Sequence, residues 1–247
     1  MSLSLLATAC GSGDTGSKDG SGADAKTAAK PSAPARTGKS AAELAPLLVN
    51  QADLPQYKVE ADSPKGDPAR KVESDKPACK PLVQLQGLVP ISTPSGTPSG
   101  TVVASVSEKR KPVGEGATLE EQLDALKDTA GVSGTSVVLD SYDAKGAQEA
   151  FASLKDASTA CAGGYTSVDG AKTTKVQKVL PSAQITAGDE SLAFQLVLEL
   201  AGGAKGSMQF VVVRKGGTLA TFEGLSVIGE AAQPPKAVVE AQSKKLG

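Results

Sequence analysis

The first part of the chain contains almost nothing that can enter a hydrophobic core, and this limits where the chain can fold. Residues 11–39 are mainly Gly, Ser, Ala, Lys, Asp, Thr and Pro and include no aliphatic side chain larger than alanine. Such a segment cannot bury enough apolar surface to offset the entropy lost on ordering. We therefore expect a flexible tether over residues 10–39 and one folded domain over residues 40–247.

The residues that precede the tether are typical of a lipoprotein signal. A short apolar run at residues 3–6 is followed by small residues, and Cys10 stands directly before a polar stretch. This order predicts a signal-peptide remnant over residues 1–9 and a lipidated, palmitate-bearing Cys10 as the first mature residue. The protein is then expected at the cell membrane, lipid-anchored on its extracytoplasmic face. The alternative is a cytoplasmic chain with a chance cysteine.

Two cysteines remain once Cys10 is assigned to the lipid. An even pair in an exported protein favours a disulfide, here between Cys79 and Cys161. Apolar residues recur at helical spacing between residues 144 and 161, which places Cys161 on the buried face of a helix. Two unpaired buried cysteines are the alternative.

The composition excludes several classes of function. The chain has no histidine, so histidine-based triads, histidine general bases and zinc sites of the usual histidine type are excluded. The net charge of −1 gives no general attraction for nucleic acid, and aromatic residues, at 3%, are too sparse for stacking platforms. We expect no enzyme activity, no cofactor, no metal and no nucleic-acid partner.

Capping residues and apolar periodicity predict the helices. Ser40 and Asp143 are predicted N-caps, and Thr118 begins a capping box. A further helix is expected over residues 78–88, and Pro234-Pro235 opens the last one. A loop is expected from the end of the first strand to about residue 76. Strands are predicted over residues 57–61, 101–109, 135–142, 165–168, 173–180, 191–200, 207–214 and 218–227.

The last three predicted strands form an antiparallel meander because glycine pairs separate them. Within the first of these strands, the even-numbered residues from 192 to 200 are apolar and line one face, while Gln195, Val197 and Glu199 line the other. One face of the sheet is therefore expected to be buried and the other to be wetter. The wetter face suggests candidate ligand-binding residues, for which solvent exposure is an equally good explanation: Gln195, Glu199, Gln209 and Arg214.

Two other groups of polar residues have a structural alternative. The basic cluster at residues 109–111 could bind a phosphate or a carboxylate, but a solvated strand edge explains it as well. Asp140, Tyr142 and Asp143 place two carboxylates and a phenol at a strand end, where acid–base chemistry or cation binding is conceivable. A helix cap at Asp143 and a strand-face position for Asp140 explain them without a site.

The order of elements has a familiar pattern. Residues 47–55 read Leu-Leu-Val-Asn-Gln-Ala-Asp-Leu-Pro, a cysteine follows a polar loop, and a Val-Val-Leu-Asp-Ser-Tyr strand leads into the helix that ends at the next cysteine. A meander and a closing helix complete the chain. This order resembles the PknH-like extracellular sensor domains of receptor Ser/Thr kinases and of free-standing actinobacterial lipoproteins. The matching residues are Asp53, Leu54, Cys79, Tyr142 and Cys161.

The resemblance implies an α+β domain, in which helices pack on an antiparallel sheet, and a cleft for an undefined envelope ligand. This sequence has two core cysteines where the kinase sensor has two disulfides, so a single disulfide would staple one domain. We expect a sensor-like extracytoplasmic domain that binds a small envelope-derived ligand or a partner protein. The alternative is a structural lipoprotein, which predicts a contiguous apolar surface patch. A hydrolase acting through Lys, Asp or Glu is the third possibility.

Overall fold

The computed structural model describes residues 37–63, 67–105, 118, 134–226 and 234–247, all within one compact unit from Ala35 to Gly247. Several sequence predictions lie outside the described residues. They are the signal remnant, the lipid site at Cys10, the tether up to residue 36, the basic cluster at residues 109–111 and the helix predicted after Thr118.

The described strands form one antiparallel sheet, which confirms the predicted fold class. The order of its nine strands is β1-β3-β4-β9-β8-β7-β6-β5-β2. Every neighbouring pair in this order runs antiparallel. The strands are β1 (Tyr57–Ser63), β2 (Val72–Ser74), β3 (Gly100–Ser105), β4 (Thr135–Ser141), β5 (Tyr165–Asp169), β6 (Lys172–Pro181), β7 (Glu190–Glu199), β8 (Lys205–Lys215) and β9 (Thr218–Ser226).

Helices cover both sides of this sheet. On one side lie α2 (Lys80–Gln86) and α3 (Gly146–Ala160), and on the other lie α1 (Ala41–Leu44) and α4 (Lys236–Lys245). We call α2, α3 and their side of the sheet the disulfide layer. Residues 41–54, α4 and the opposite side form the terminal layer. None of the described helices is long and apolar enough to cross a membrane.

Strand β8 serves both layers, which explains its continuous apolar run. Phe210 and Val212 pack in the disulfide layer, whereas Val211 and Val213 pack in the terminal layer, and all four are fully buried. Alternation of side chains across a strand produces this division. A strand covered on both faces reads as a hydrophobic run rather than as alternating polarity.

The two edge strands are close in sequence, so the sheet cannot be flat. Residues 64–71 alone connect β1 to β2, which lie at opposite edges. A connection of this length reaches at most about 32 Å. Flat strands spaced about 4.8 Å apart would put the edges of this sheet about 38 Å apart. The sheet must therefore twist and coil.

The short strand β2 lies where the sequence predicts a loop. It forms because β2 pairs with β5 and this pairing buries Val72.

The predicted disulfide is confirmed. Cys79 and Cys161 are bonded, their Cα atoms are 5.9 Å apart, and the bond links positions 82 residues apart in the sequence. Both cysteines are 1% exposed. Cys79 lies directly before α2 and Cys161 directly after α3, so the bond fixes the two helices of the disulfide layer to each other.

One predicted cap is confirmed and another is wrong. Ser40 caps α1 in a reciprocal capping box with Glu43. Asp143 does not cap α3, because the helix begins at Gly146 and its N-cap position is Lys145, which forms no side-chain cap bond. The Asp143 carboxylate instead accepts a hydrogen bond of 2.5 Å from the backbone N–H of Gly38.

Candidate functional site

Three of the four predicted ligand-binding residues share one side of the sheet. Gln195 and Glu199 of β7 alternate with the buried leucines, and Gln195 lies directly opposite Gln209 of β8. The Gln209 amide donates to the Ser182 hydroxyl at 2.5 Å. Glu199 forms a salt bridge of 2.8 Å with Lys175, which lowers the pKa of Glu199.

Arg214 lies on the other side of the sheet, so the structure does not bring all four residues together. It stands opposite Glu190, two positions after Val212 of the disulfide layer. Its guanidinium pairs with Glu190 at 2.6 Å and with Asp189 at 3.0 Å. The Gly216 N–H, followed by the charges of Arg214 and Lys215, lowers the pKa of Asp189. Arg214 is therefore held within its own ion-pair cluster.

A small cavity lies elsewhere, inside the disulfide layer. Its volume is about 10 Å³, which is room for one water molecule. Helix α2 and the residues after it cover the cavity, α3 closes one side, and β4 and β9 form its floor. The lining residues are Leu85, Leu88, Val89, Ile91, Val138, Asp140, Tyr142, Leu154, Leu219 and Thr221.

The Tyr142 hydroxyl is the most unusual group in this cavity. The residue is 2% exposed, and its hydroxyl oxygen has no hydrogen-bond partner among the described residues. Burial, together with the negative charge of Asp140, raises the pKa of Tyr142 far above its ordinary value, and the nearby backbone N–H of Ile91 offsets only part of this rise. The phenol is therefore neutral at every physiological pH and retains an unused proton to donate. A buried polar group without a partner carries a desolvation penalty of about 1–3 kcal/mol.

Tyr165 shows that burial alone does not leave a tyrosine unpaired. It also lies in the disulfide layer, is 3% exposed and has its pKa raised by burial. Its hydroxyl, however, donates to the Gln86 side-chain oxygen at 2.8 Å. The two tyrosines thus differ in one hydrogen bond while sharing burial and layer.

Polar side chains continue along the floor of the cavity. Asp140 is 7% exposed and accepts a hydrogen bond of 2.5 Å from the Thr97 hydroxyl. Thr221 lies opposite Val138 on the neighbouring strand, and Glu223 follows two positions later on the same side. Glu223 is 9% exposed, and burial raises the pKa of its carboxyl to about 7. Polar groups on the inward side of two central strands are uncommon, because such positions normally fill a core.

The cover of the cavity is strained. Residues 87–92 connect α2 to the loop before β3, and two of them have positive φ, 52° at Leu88 and 63° at Ser92. A left-handed conformation is unfavourable for a bulky residue and costs on the order of 1–3 kcal/mol. The segment is nevertheless held in place, since Val89 donates its N–H to the Gln84 carbonyl at 2.8 Å and the Gln84 amide donates to the Pro90 carbonyl at 3.0 Å.

The strand end that carries Asp140 and Tyr142 also anchors the start of the folded chain. The Lys39 N–H donates to the Ser141 hydroxyl at 2.8 Å, beside the bond from Gly38 to Asp143. The Gly38 bond lowers the pKa of Asp143. A β-carbon at Gly38 would come within 2.7 Å of the Tyr142 carbonyl carbon, so glycine is needed at this close approach. Gly38 and Lys39 therefore contact the same strand end that contributes Tyr142 to the cavity.

A second concave surface lies in the terminal layer. It is a groove of about 430 Å³ between α1 and the first residues of β3, and none of the described residues that line it is charged. Its lining is Ala41, Ala45, Pro46, Leu48, Val49, Asn50, Ala61, Pro98, Ser99, Gly100 and Thr101.

A solved structure is similar to this chain over most of its length. The chain is similar to the extracellular domain of PknH from Mycobacterium tuberculosis, with 14% sequence identity and a TM-score of 0.44. The match covers 85% of this chain and 96% of that chain. No protein-family model and no curated protein matches the chain. A likeness at this level carries no functional conclusion, so the role of the cavity rests on its own residues.

Sequence reasoning identified part of this site and missed the rest. Asp140 and Tyr142 stood out as a polar strand end, but Thr221 and Glu223 did not. The sequence pattern that could have identified them is alternation along β9. Thr221 and Glu223 lie on the same side of the strand as Leu219, while Ala220 and Phe222 lie on the other side. That signal is informative only once β9 is known to be central in the sheet, with both sides covered.

Proposed function

We propose that the protein is a surface lipoprotein, anchored through Cys10, whose domain binds a small envelope-derived ligand in a sensor-like, non-catalytic role. This proposal rests on one observation. The disulfide layer contains a cavity whose lining includes a buried hydroxyl group, that of Tyr142, without a hydrogen-bond partner among the described residues. The disulfide supports an oxidising, extracytoplasmic compartment. The hydroxyl supports a ligand, since a buried donor without a partner is costly unless something binds to it.

The surface of the described residues gives less support to the alternative of a structural lipoprotein. That alternative predicts a contiguous apolar patch. The exposed large hydrophobic side chains of the described residues are Val168 of β5 and Leu180 of β6. Val168 pairs with Thr173, which places it roughly 20 Å from Leu180 along β6. Two separated side chains do not form the patch that a structural role requires.

The location is tested by cell fractionation. The wild-type chain and the Cys10→Ala variant are expressed from the native gene, and membranes and medium are probed for each. The lipid anchor predicts that wild type stays with the membrane and incorporates labelled palmitate, whereas the variant is released without label. Membrane retention of Cys10→Ala would show that Cys10 is not the anchor.

Ligand binding is tested by thermal unfolding of the full oxidised chain in the presence of envelope lipids, muropeptides, sugars and metal ions. A ligand that binds only the folded state raises the melting temperature with increasing concentration. The same screen on Thr221→Val is the matched control, because this variant changes the cavity floor at nearly constant volume. A shift in wild type that shrinks in Thr221→Val places the ligand in the cavity. If no class of compound raises the melting temperature, the partner that we propose is a protein and not a small molecule.

A further inference from the structure

The structure assigns a chemical class to the ligand of this cavity: we propose an uncharged aliphatic molecule that presents one hydroxyl group to Tyr142 and Asp140. This inference rests on the proposed ligand-binding function and deepens it. The observations that support it are the apolar walls, the charge of the lining, the hydrogen-bonding groups that face the cavity and the strained cover.

The walls favour an aliphatic body. Seven of the ten lining residues are aliphatic, and the aromatic residue among them is Tyr142. A pocket of this composition gains binding free energy mainly from the apolar surface it removes from water. Sugars expose too many hydroxyl groups for such walls, because each one would lose its water without gaining a partner.

The charge of the lining argues against an anion. Among the described residues, no lysine or arginine lines the cavity, and Asp140 contributes a carboxylate whose charge acts on Tyr142. A phosphate or carboxylate head would therefore be desolvated beside a like charge. An ammonium head would have to leave water for a site whose described lining offers one carboxylate, that of Asp140, which already accepts the Thr97 hydroxyl. An uncharged head avoids both penalties.

The polar groups of the cavity match a hydroxyl in particular. Tyr142 has a proton to donate, and the Asp140 carboxylate, which accepts the Thr97 hydroxyl, has two oxygens that can accept more than one hydrogen bond. A hydroxyl group accepts and donates at one atom, so it can bind both at once. A ketone or ether accepts from Tyr142 but offers nothing to Asp140. The Thr221 hydroxyl can either donate or accept, so it adds a partner without changing this preference.

The cavity as it stands has room for the head group only. Its volume of about 10 Å³ corresponds to one hydroxyl or one water. The aliphatic body requires residues 87–92 to move outward. Because Leu88 and Ser92 have positive φ, a movement that returns these residues to negative φ would release backbone strain while it opens the site. The floor and the opposite wall are a strand pair and α3, which the disulfide holds in place.

Tyrosine NMR gives a direct readout, because the chain has three tyrosines and no tryptophan. The full oxidised chain is labelled with ¹³C at tyrosine Cζ and titrated with 1-hexanol. We expect the Tyr142 resonance to shift with saturation while Tyr57 and Tyr165 stay in place. Hexylamine, hexanoate and hexane carry the same chain with a different head and are expected to bind at least about fivefold more weakly, the value of one hydrogen bond.

A matched pair of variants tests the hydrogen bond itself. Tyr142→Phe removes the unpaired hydroxyl and is expected to weaken hexanol binding about fivefold. Tyr165→Phe removes a hydroxyl that already has a partner and is expected to leave hexanol binding unchanged. Equal affinity for hexane and hexanol, equal affinity of wild type and Tyr142→Phe, or an unmoved Tyr142 resonance would each overturn the proposal.

Two further outcomes separate this inference from the function on which it rests. A diacylglycerol in phosphatidylcholine vesicles presents the same hydroxyl group from a lipid. A shift of the Tyr142 resonance with these vesicles alone supports the ligand class and a lipid as its source. A shift with hexanol supports the ligand class and a soluble molecule as its source. The other outcome is that hexanol and diacylglycerol leave the Tyr142 resonance in place while an envelope compound of another class raises the melting temperature. This result refutes the proposed aliphatic hydroxyl ligand but leaves the proposed ligand-binding function standing.

Discussion

The terminal layer and the disulfide layer differ in whether every buried side-chain polar group of the described residues has a hydrogen-bond partner. In the terminal layer Gln242 is fully buried, and both ends of its amide are bonded, to the Leu47 carbonyl at 2.8 Å and from the Val49 N–H at 3.0 Å. Lys245 adds bonds of 2.7 Å to the Leu48 carbonyl and to Asp53. In the disulfide layer the Tyr142 hydroxyl has no partner among the described residues.

This difference indicates a division of labour. The terminal layer joins the two ends of the domain through α4, and its stability depends on side-chain hydrogen bonds that are complete. The disulfide layer is held by a covalent bond, so it can keep an unpaired hydroxyl and a strained cover without coming apart. Unsatisfied groups and strain persist only where the surroundings over-determine the structure, and they are concentrated at functional sites. Variants in each layer test whether the two layers are stabilised in these different ways.

The largest effect is expected from the disulfide. Replacing Cys79 and Cys161 together by alanine reopens a link between positions 82 residues apart, and the chain-entropy model predicts a loss of about 4 kcal/mol in the free energy of unfolding. Urea unfolding at neutral pH measures this loss. Intact mass before and after alkylation, with and without reductant, verifies that the bond is present in wild type.

If the layer is held by the disulfide, its cover should loosen first in the double variant. Hydrogen exchange would then rise more at residues 87–92 than in α4. A uniform rise in both layers would show that the bond stabilises the whole domain and not the disulfide layer in particular.

The next largest effect is expected at Gln242. Gln242→Leu fills the same space but leaves the buried Val49 N–H and the partly buried Leu47 carbonyl without their side-chain partners. Two such groups cost about 3 kcal/mol together. Urea unfolding checks this, with Lys244→Ala as a control in the same helix because Lys244 is exposed. A loss under 1 kcal/mol would mean that the terminal layer tolerates unpaired groups as the disulfide layer does.

Glu223 is expected to make the stability of the domain depend on pH. Burial raises the pKa of its carboxyl from 4.5 to about 7 in the folded state. The folded protein therefore keeps this proton between the two pKa values while the unfolded chain has lost it, so stability falls as pH rises from about 4.5 to about 7. The full change corresponds to about 3 kcal/mol.

The matched variants for this prediction are Glu223→Gln and Glu199→Gln. Glu223→Gln is expected to equal wild type near pH 4 and to exceed it increasingly up to pH 8. Glu199 has the opposite sign, because Lys175 and Gln177 lower its pKa and its contribution is lost as pH falls. Urea unfolding at each pH unit from 4 to 8 separates the two. A constant difference between Glu223→Gln and wild type across this range would contradict a raised pKa.

The sequence predicts the elements well and the site poorly, for a physical reason. Local signals suffice for the Ser40 cap, for the meander and for the disulfide, because periodicity, turn glycines and an even cysteine pair act over short distances or by composition. Strand order is not local: β9, the last strand in the sequence, pairs with β4 on one side and with β8 on the other, and this makes it a central strand. The cavity depends on that order, so Thr221 and Glu223 cannot be recognised as inward-facing polar residues before the topology is known.

The smallest effect is also the sharpest test of the comparison, because it uses two tyrosines of the same layer. Tyr165→Phe is expected to destabilise the domain by about 1 kcal/mol, since it removes the bond to Gln86. Tyr142→Phe is expected to stabilise the ligand-free domain by about the same amount, since it removes a buried hydroxyl that has no partner among the described residues. Urea unfolding of both variants measures the difference directly. If both substitutions destabilise equally, the Tyr142 hydroxyl is already bonded in solution, by a trapped water in the 10 Å³ cavity, and the disulfide layer is as complete as the terminal one. If the signs differ, the protein retains a donor at this position at the expense of its own stability, as expected of a group that is kept for a ligand.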